Sequence, residues 1–158
     1  MIYWKQKGLS DGQGMGKEEA QDYFNLVEAY EKLDSPTKLT TLAKIQGYLL
    51  GNHLQARQLF DKALELHTTF VDAHIEYWRY LFRRKEYQSA KLIAEKALQA
   101  SEAISVPTSL WVETRVILSK SYIFEKDVEK AVETLKDICF LLPPFAIDDL
   151  NFIDTVIT

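Results

Sequence analysis

An all-α fold of antiparallel helix pairs is what this 158-residue sequence predicts, and three observations carry the prediction. Small and apolar residues recur at helical spacing in three segments related by a nearly constant period. Each of those segments follows another helical stretch. No run shows the strict apolar/polar alternation of a half-buried strand.

The three segments are aligned on small residues. The first places Ala56, Phe60 and Ala63 on one helical face, the second Ala90, Ala94 and Ala97, and the third Ala131, Leu135 and Ile138. Ala56 to Ala90 is 34 residues and so is Ala63 to Ala97, whereas Ala90 to Ala131 is 41, or 34 with a seven-residue insertion. A period in this range marks a repeat architecture in which one helix pair cannot bury its own apolar face and stacks on the next.

The leading helix of the first pair runs from Pro36 to Leu50. Ser35 is its predicted N-cap, Pro36 suits the first turn, and Gly51-Asn52 closes it through a left-handed residue. The second leading helix, Val71 to Arg84, carries Ala73, Tyr77, Trp78, Leu81 and Phe82 as its apolar stripe. Arg83-Arg84-Lys85 at its end complements the helix dipole. The third spans Thr108 to Phe124, with Trp111, Leu118 and Tyr122 on one face and Pro107 setting its start. Pro143-Pro144 forbids its partner helix from continuing.

The ends differ from the middle. Residues 1–16 hold four of the six glycines and read as a flexible arm. The helical domain is expected over 17–158, with repeats at about 37–70, 71–104 and 112–145. A further helix is expected from Glu18 to Leu33, with Phe24, Val27 and Tyr30 at helical spacing. A short terminal helix over about 147–157 presents Ile147, Leu150, Ile153 and Val156, for about eight helices in all.

Composition narrows the function classes. With 19 Lys+Arg against 23 Asp+Glu, the mild negative charge disfavours nucleic acid as partner. No stretch approaches the length of a membrane span, so no membrane insertion is expected. The start is too short and too polar for a secretory signal. Cys139 stands alone, which points to a reducing, cytoplasmic setting.

The paired helices at a 34-residue period resemble the tetratricopeptide repeat, over about residues 37–143. The third unit carries most of the pattern in Leu118-Ser119, Tyr122, Ala131, Leu135 and Pro143. The second keeps Leu81, Tyr87, Ala90 and Ala97, and the first Gly51, Ala56, Phe60 and Ala63. Lys44 and Trp78 stand where the family has a small residue, so those pairs are expected to sit wider or rotated. Gly47 stands where an aromatic belongs. Residues around Ala20 to Val27 are similar to the second helix of a degenerate earlier repeat.

The resemblance implies a right-handed superhelix whose concave face, built by the leading helices, binds a peptide or helix of a partner protein. Carried across position by position, that face comprises Ile45 and Tyr48 in the first unit. It takes Ile75, Arg79, Phe82 and Arg83 in the second, and Val116, Lys120 and Ile123 in the third. Thr41, Leu49, Asp72, Glu113 and Phe124 are further positions of the same set. Such a face suits apolar side chains with one or two carboxylates. The same apolar residues would equally serve as packing between neighbouring helices. Members of the family that clamp chaperone tails use Lys, Asn and Arg at positions that here are Thr41, Ile45, Glu76, Glu113 and Ile117, so that docking is not expected.

No catalytic constellation is found. Gly12-Gln13-Gly14-Met15-Gly16-Lys17 lacks the spacing of a phosphate-cradling loop, with Asp11 and Glu18 where Gly and Ser/Thr belong. His53, His67 and His74 have no metal-ligand spacing, and Asp148-Asp149 point apart on a helix. The expectation is a non-enzymatic interaction module with no cofactor and no metal. The alternative is a segment of a larger helical scaffold, a homo-oligomer or complex assembled through the terminal helix.

Overall fold

A computed structural model describes residues 16–136 and 138. The expected arm and the terminal helix over 147–157 therefore lie outside the described residues, as do Cys139, Pro143-Pro144 and Asp148-Asp149. Among the described residues the regular structure is all helical, with seven α-helices: α1 (Lys17–Tyr30), α2 (Pro36–Lys44), α3 (His53–Leu66), α4 (Val71–Arg83), α5 (Tyr87–Ala103), α6 (Thr108–Phe124) and α7 (Val128–Leu135). A π-helical turn, Ile45–Leu49, continues α2. None is long and apolar enough to cross a membrane. The chain divides into two compact units, Met1–Ala63 and Leu64–Thr158.

In the first unit α1 packs on α2 and on the π-turn. α1 ends at Tyr30, short of the expected Leu33, because Glu31 turns to extended backbone ahead of the Asp34-Ser35-Pro36 cap. Ser35 caps α2 as expected, its hydroxyl accepting from the Lys38 N–H at 3.1 Å with Pro36 in the first turn. The π-turn corrects the reading of α2. The resemblance puts Lys44 at the family's small position, but Lys44 is exposed and Ala43 is buried. The Leu50 N–H reaches back five residues to the Ile45 carbonyl, and this wide turn absorbs one extra residue before Gly51.

In the second unit α4, α5, α6 and α7 pack in succession, and α4 also meets α6. Lys91 with Glu125 and Arg115 with Glu102 show α5 and α6 antiparallel. Ser119 with Ala131 and Tyr122 with Lys130 show the same of α6 and α7. α4 and α6 run side by side in one direction, since Trp78 meets Ser121 and Phe82 meets Phe124.

Helices covered by two neighbours must be apolar on more than one stripe. α4 accordingly buries Val71, His74, Ile75 and Tyr80 as well as Ala73, Tyr77, Trp78 and Leu81. α6 buries Val112, Val116, Ile117, Leu118 and Ile123 with Thr114, Ser119 and Ser121. The three hydroxyls are satisfied by carbonyls, those of Trp111, Ala131 and Ile117 respectively, so their burial carries no unpaired donor.

The left-handed turn recurs with the repeat. Gly51 (φ 71°), Lys85 (φ 61°) and Lys126 (φ 64°) stand 34 and 41 residues apart, as the alanines do. After α4, Glu86 N–H bonds the Leu81 carbonyl and Lys85 N–H that of Phe82. After α6, Asp127 bonds Tyr122 and Lys126 bonds Ile123. Both are the paired bonds of a Schellman ending.

The seven-residue insertion is not a longer loop. The links 67–70 and 104–107 are equally long. Relative to the 34- and 41-residue offsets, α5 runs three residues further than α3, and α6 begins four residues earlier than α4. The extra chain thus adds a turn to each arm of the α5–α6 hairpin. There the Arg115 guanidinium lies 3.6 Å over the Trp111 ring.

Candidate functional site

The surface that α4 and α6 share holds the accessible part of the predicted groove. Its base is the Trp78 indole, buried and donating from Nε1 to Ser121 Oγ at 2.8 Å. From there a chain of rings climbs toward the helix ends. Trp78 stacks on Phe82 (centroids 4.5 Å), Phe82 meets Phe124 edge-on (4.8 Å), and Phe124 stacks on Tyr87 (4.6 Å). Phe82 and Tyr87 also meet edge-on at 5.1 Å. The cluster joins the end of α4, the start of α5 and the end of α6. Phe124 stays 41 % exposed at its outer edge, and offset or edge-on rings fix one another's positions.

Arg79 stands beside it on α4. Its guanidinium bonds Glu76 on its own helix at 2.8 Å and Glu113 on α6. Arg83 is exposed and Lys120 half-buried. Lys91 donates to Glu125 Oε2 at 2.6 Å, directly after Phe124, and this bond holds the Lys91 ammonium above its ordinary pKa. The Tyr122 hydroxyl is also pushed up, chiefly by burial.

Four of the nine predicted groove residues are corrected. Ile45, Ile75, Val116 and Ile123 are only 2–4 % exposed and have no surface to offer a partner. For Val116 and Ile123 the reason is α7. They form one core with Val112, Ala131, Leu135 and Ile138, flanked by Trp111 and Tyr122. Ile75 belongs to the buried stripe of α4, and Ile45 is buried in the π-turn. Tyr48 is exposed and belongs to the first unit. The structure therefore brings together Arg79 and Phe82, with Arg83 and Lys120 on the same two helices.

The predicted set lacked Tyr87, and Phe124 stood only at its margin. Tyr87 carried a repeat signal in the second unit but opens a trailing helix, which the groove expectation left out, and Phe124 is the last residue of its helix. Glu76 and Glu113 each take one of the five N–H donors of Arg79, so the guanidinium is oriented by two carboxylates of its own chain. Among the described residues no cluster of His, Cys, Asp or Glu could hold a metal ion. Models of known protein families find no match in this chain, and no curated protein matches it.

Proposed function

We propose that the chain is a non-catalytic, tetratricopeptide-like interaction module, and that the α4–α6 face receives a segment of a partner protein. One observation carries this reading: two successive helix pairs build a single four-ring aromatic cluster and leave its outer ring open to solvent. A lone exposed ring is ordinary, but a preorganised cluster beside an oriented guanidinium is the composition of a binding hot spot. Because Arg79 is neutralised by Glu76 and Glu113, affinity comes from apolar and aromatic contact, with paired charges setting orientation.

The test is a peptide-display selection on the full chain, followed by binding of the selected peptides to F124A and to R79E/K120E. Loss of binding to F124A, with circular dichroism unchanged, supports the assignment. Peptides that bind both variants as tightly as the parent chain place the docking surface elsewhere.

A further inference from the structure

The first unit carries a second surface. An open cleft of about 380 Å³ lies between the second half of α1 and the first half of α2. Tyr23, Leu26, Val27 and Tyr30 wall it on α1, at the i, i+3, i+4, i+7 spacing of a helix stripe, with Thr37 and Thr41 opposite. Leu26 is 57 % exposed and Tyr30 89 % exposed, so the apolar surface continues past the mouth of the cleft. α1 is fully buried only at Ala20, in its first part. There is room for a segment longer than the cleft to lie along the stripe with its anchoring side chains inside.

The charges of the wall are unequal. Lys38 is already engaged, its ammonium meeting Asp34 at 3.5 Å, while Asp34 also takes Lys62 at 2.7 Å. Glu31, half-buried in the same wall, pairs with none of the described residues, and Lys32 beside it in sequence forms no ion pair with it. Asp22, one turn before Leu26, and Glu28, next to Val27, are both exposed. The last turn of α1 holds no base against the negative end of its dipole. Residues 17–31 as a whole set one lysine against five acids. The cleft therefore calls for apolar anchors inside and for cations at its rim.

We infer that this cleft docks a basic amphipathic helix of a partner protein, with aliphatic or aromatic anchors seated between α1 and α2 and Lys or Arg on the flank that faces Glu28 and Glu31. An apolar stripe beside a groove is the receptor that a docked helix uses, and charge complementarity selects a basic one. A second copy of the chain answers the demand poorly. Acids stand at both ends of α1, Glu18 and Glu19 at the start and Glu28 and Glu31 at the close, so two such helices laid together in either direction set acid against acid. A small apolar ligand fills the cleft but leaves the exposed stripe and the Glu31 carboxylate unanswered.

The test adds two synthetic amphipathic helical peptides to the methyl-labelled full chain and reads binding by NMR. Both carry Leu and Phe on one face, and one has Lys on its flanks where the other has Glu. The expected result is saturable shifts of the Leu26, Val27, Thr37 and Thr41 methyl resonances with the Lys-flanked peptide alone. L26D should abolish them. E28K/E31K should weaken the Lys-flanked peptide about fivefold and admit the Glu-flanked one, a reversal that an unfolded variant cannot give. No cleft shift up to about 1 mM peptide overturns the inference, and so do equal affinities for the two peptides. Cleft shifts that grow with protein concentration in the absence of peptide overturn it as well, since they assign the cleft to a second copy.

Discussion

The indole N–H of Trp78 donates to the hydroxyl of Ser121, 43 residues further along the chain and on a different helix pair. Ser121 passes the proton direction on, donating to the Ile117 carbonyl at 3.0 Å. One serine thus resolves the largest side chain of α4 against α6. S121A leaves a buried indole donor unpaired and should cost about 1–3 kcal/mol. W78F removes the donor, so S121A in that background should cost much less. Chemical denaturation of the four proteins of the cycle measures this coupling, and additive losses would show that the bond contributes nothing specific.

Lys85 and Lys126 both sit in left-handed backbone, where an L side chain is strained. K85G and K126G should each raise stability by about 0.5–1 kcal/mol, after the greater freedom of glycine in the unfolded chain is set against the relief. G51A should do the reverse by about 1 kcal/mol. A Cβ at Gly51 meets no atom within 4 Å, so that cost comes from backbone alone. Thermal unfolding of the three variants decides the point.

Position, more than residue type, separates Ile123 from Phe124. I123A opens a cavity between α6 and α7 and should cost about 2–5 kcal/mol. F124A, at the exposed edge of the ring cluster, should cost well under half of that. Equal losses in urea would mean that Phe124 is a core residue and the exposed cluster is structural.

His74 is buried on α4, its Nδ1–H donating to the Phe70 carbonyl at 2.9 Å. Burial, with a smaller contribution from Lys96, lowers its pKa below the ordinary 6.5, and the Phe70 bond opposes that only partly. The folded state therefore prefers the neutral ring, and the unfolded chain takes up the proton first. This contribution to stability is fully present above pH 6.5 and is lost as pH falls from 6.5 toward the folded-state value. H74Q should flatten that part of the stability profile, which denaturation midpoints on either side of pH 6.5 will show.

Local features were readable because neighbouring residues alone decide them. Ser35 caps α2, Gly51 takes the left-handed turn and Pro107 precedes α6, each as its side chain or backbone dictates. The groove was only partly readable. Val116 and Lys120 lie one turn apart on α6, yet α7 buries the first and leaves the second half-exposed. A helix with neighbours on two sides carries two apolar stripes, and its own sequence does not say which neighbour covers which. The π-turn was invisible for a related reason, since period counting assumes a constant number of residues per turn.

By itself the sequence determined the helical class, the order of the described helices and the left-handed turn at Gly51, because periodicity and capping are properties of contiguous residues. Tertiary structure alone decided that the insertion lengthens a hairpin, that Ala43 replaces Lys44 in the core, and that Arg79 is already paired. It also assembled Trp78, Phe82, Tyr87 and Phe124 into one cluster. Each of these depends on distances between residues far apart in the chain, and packing sets those distances.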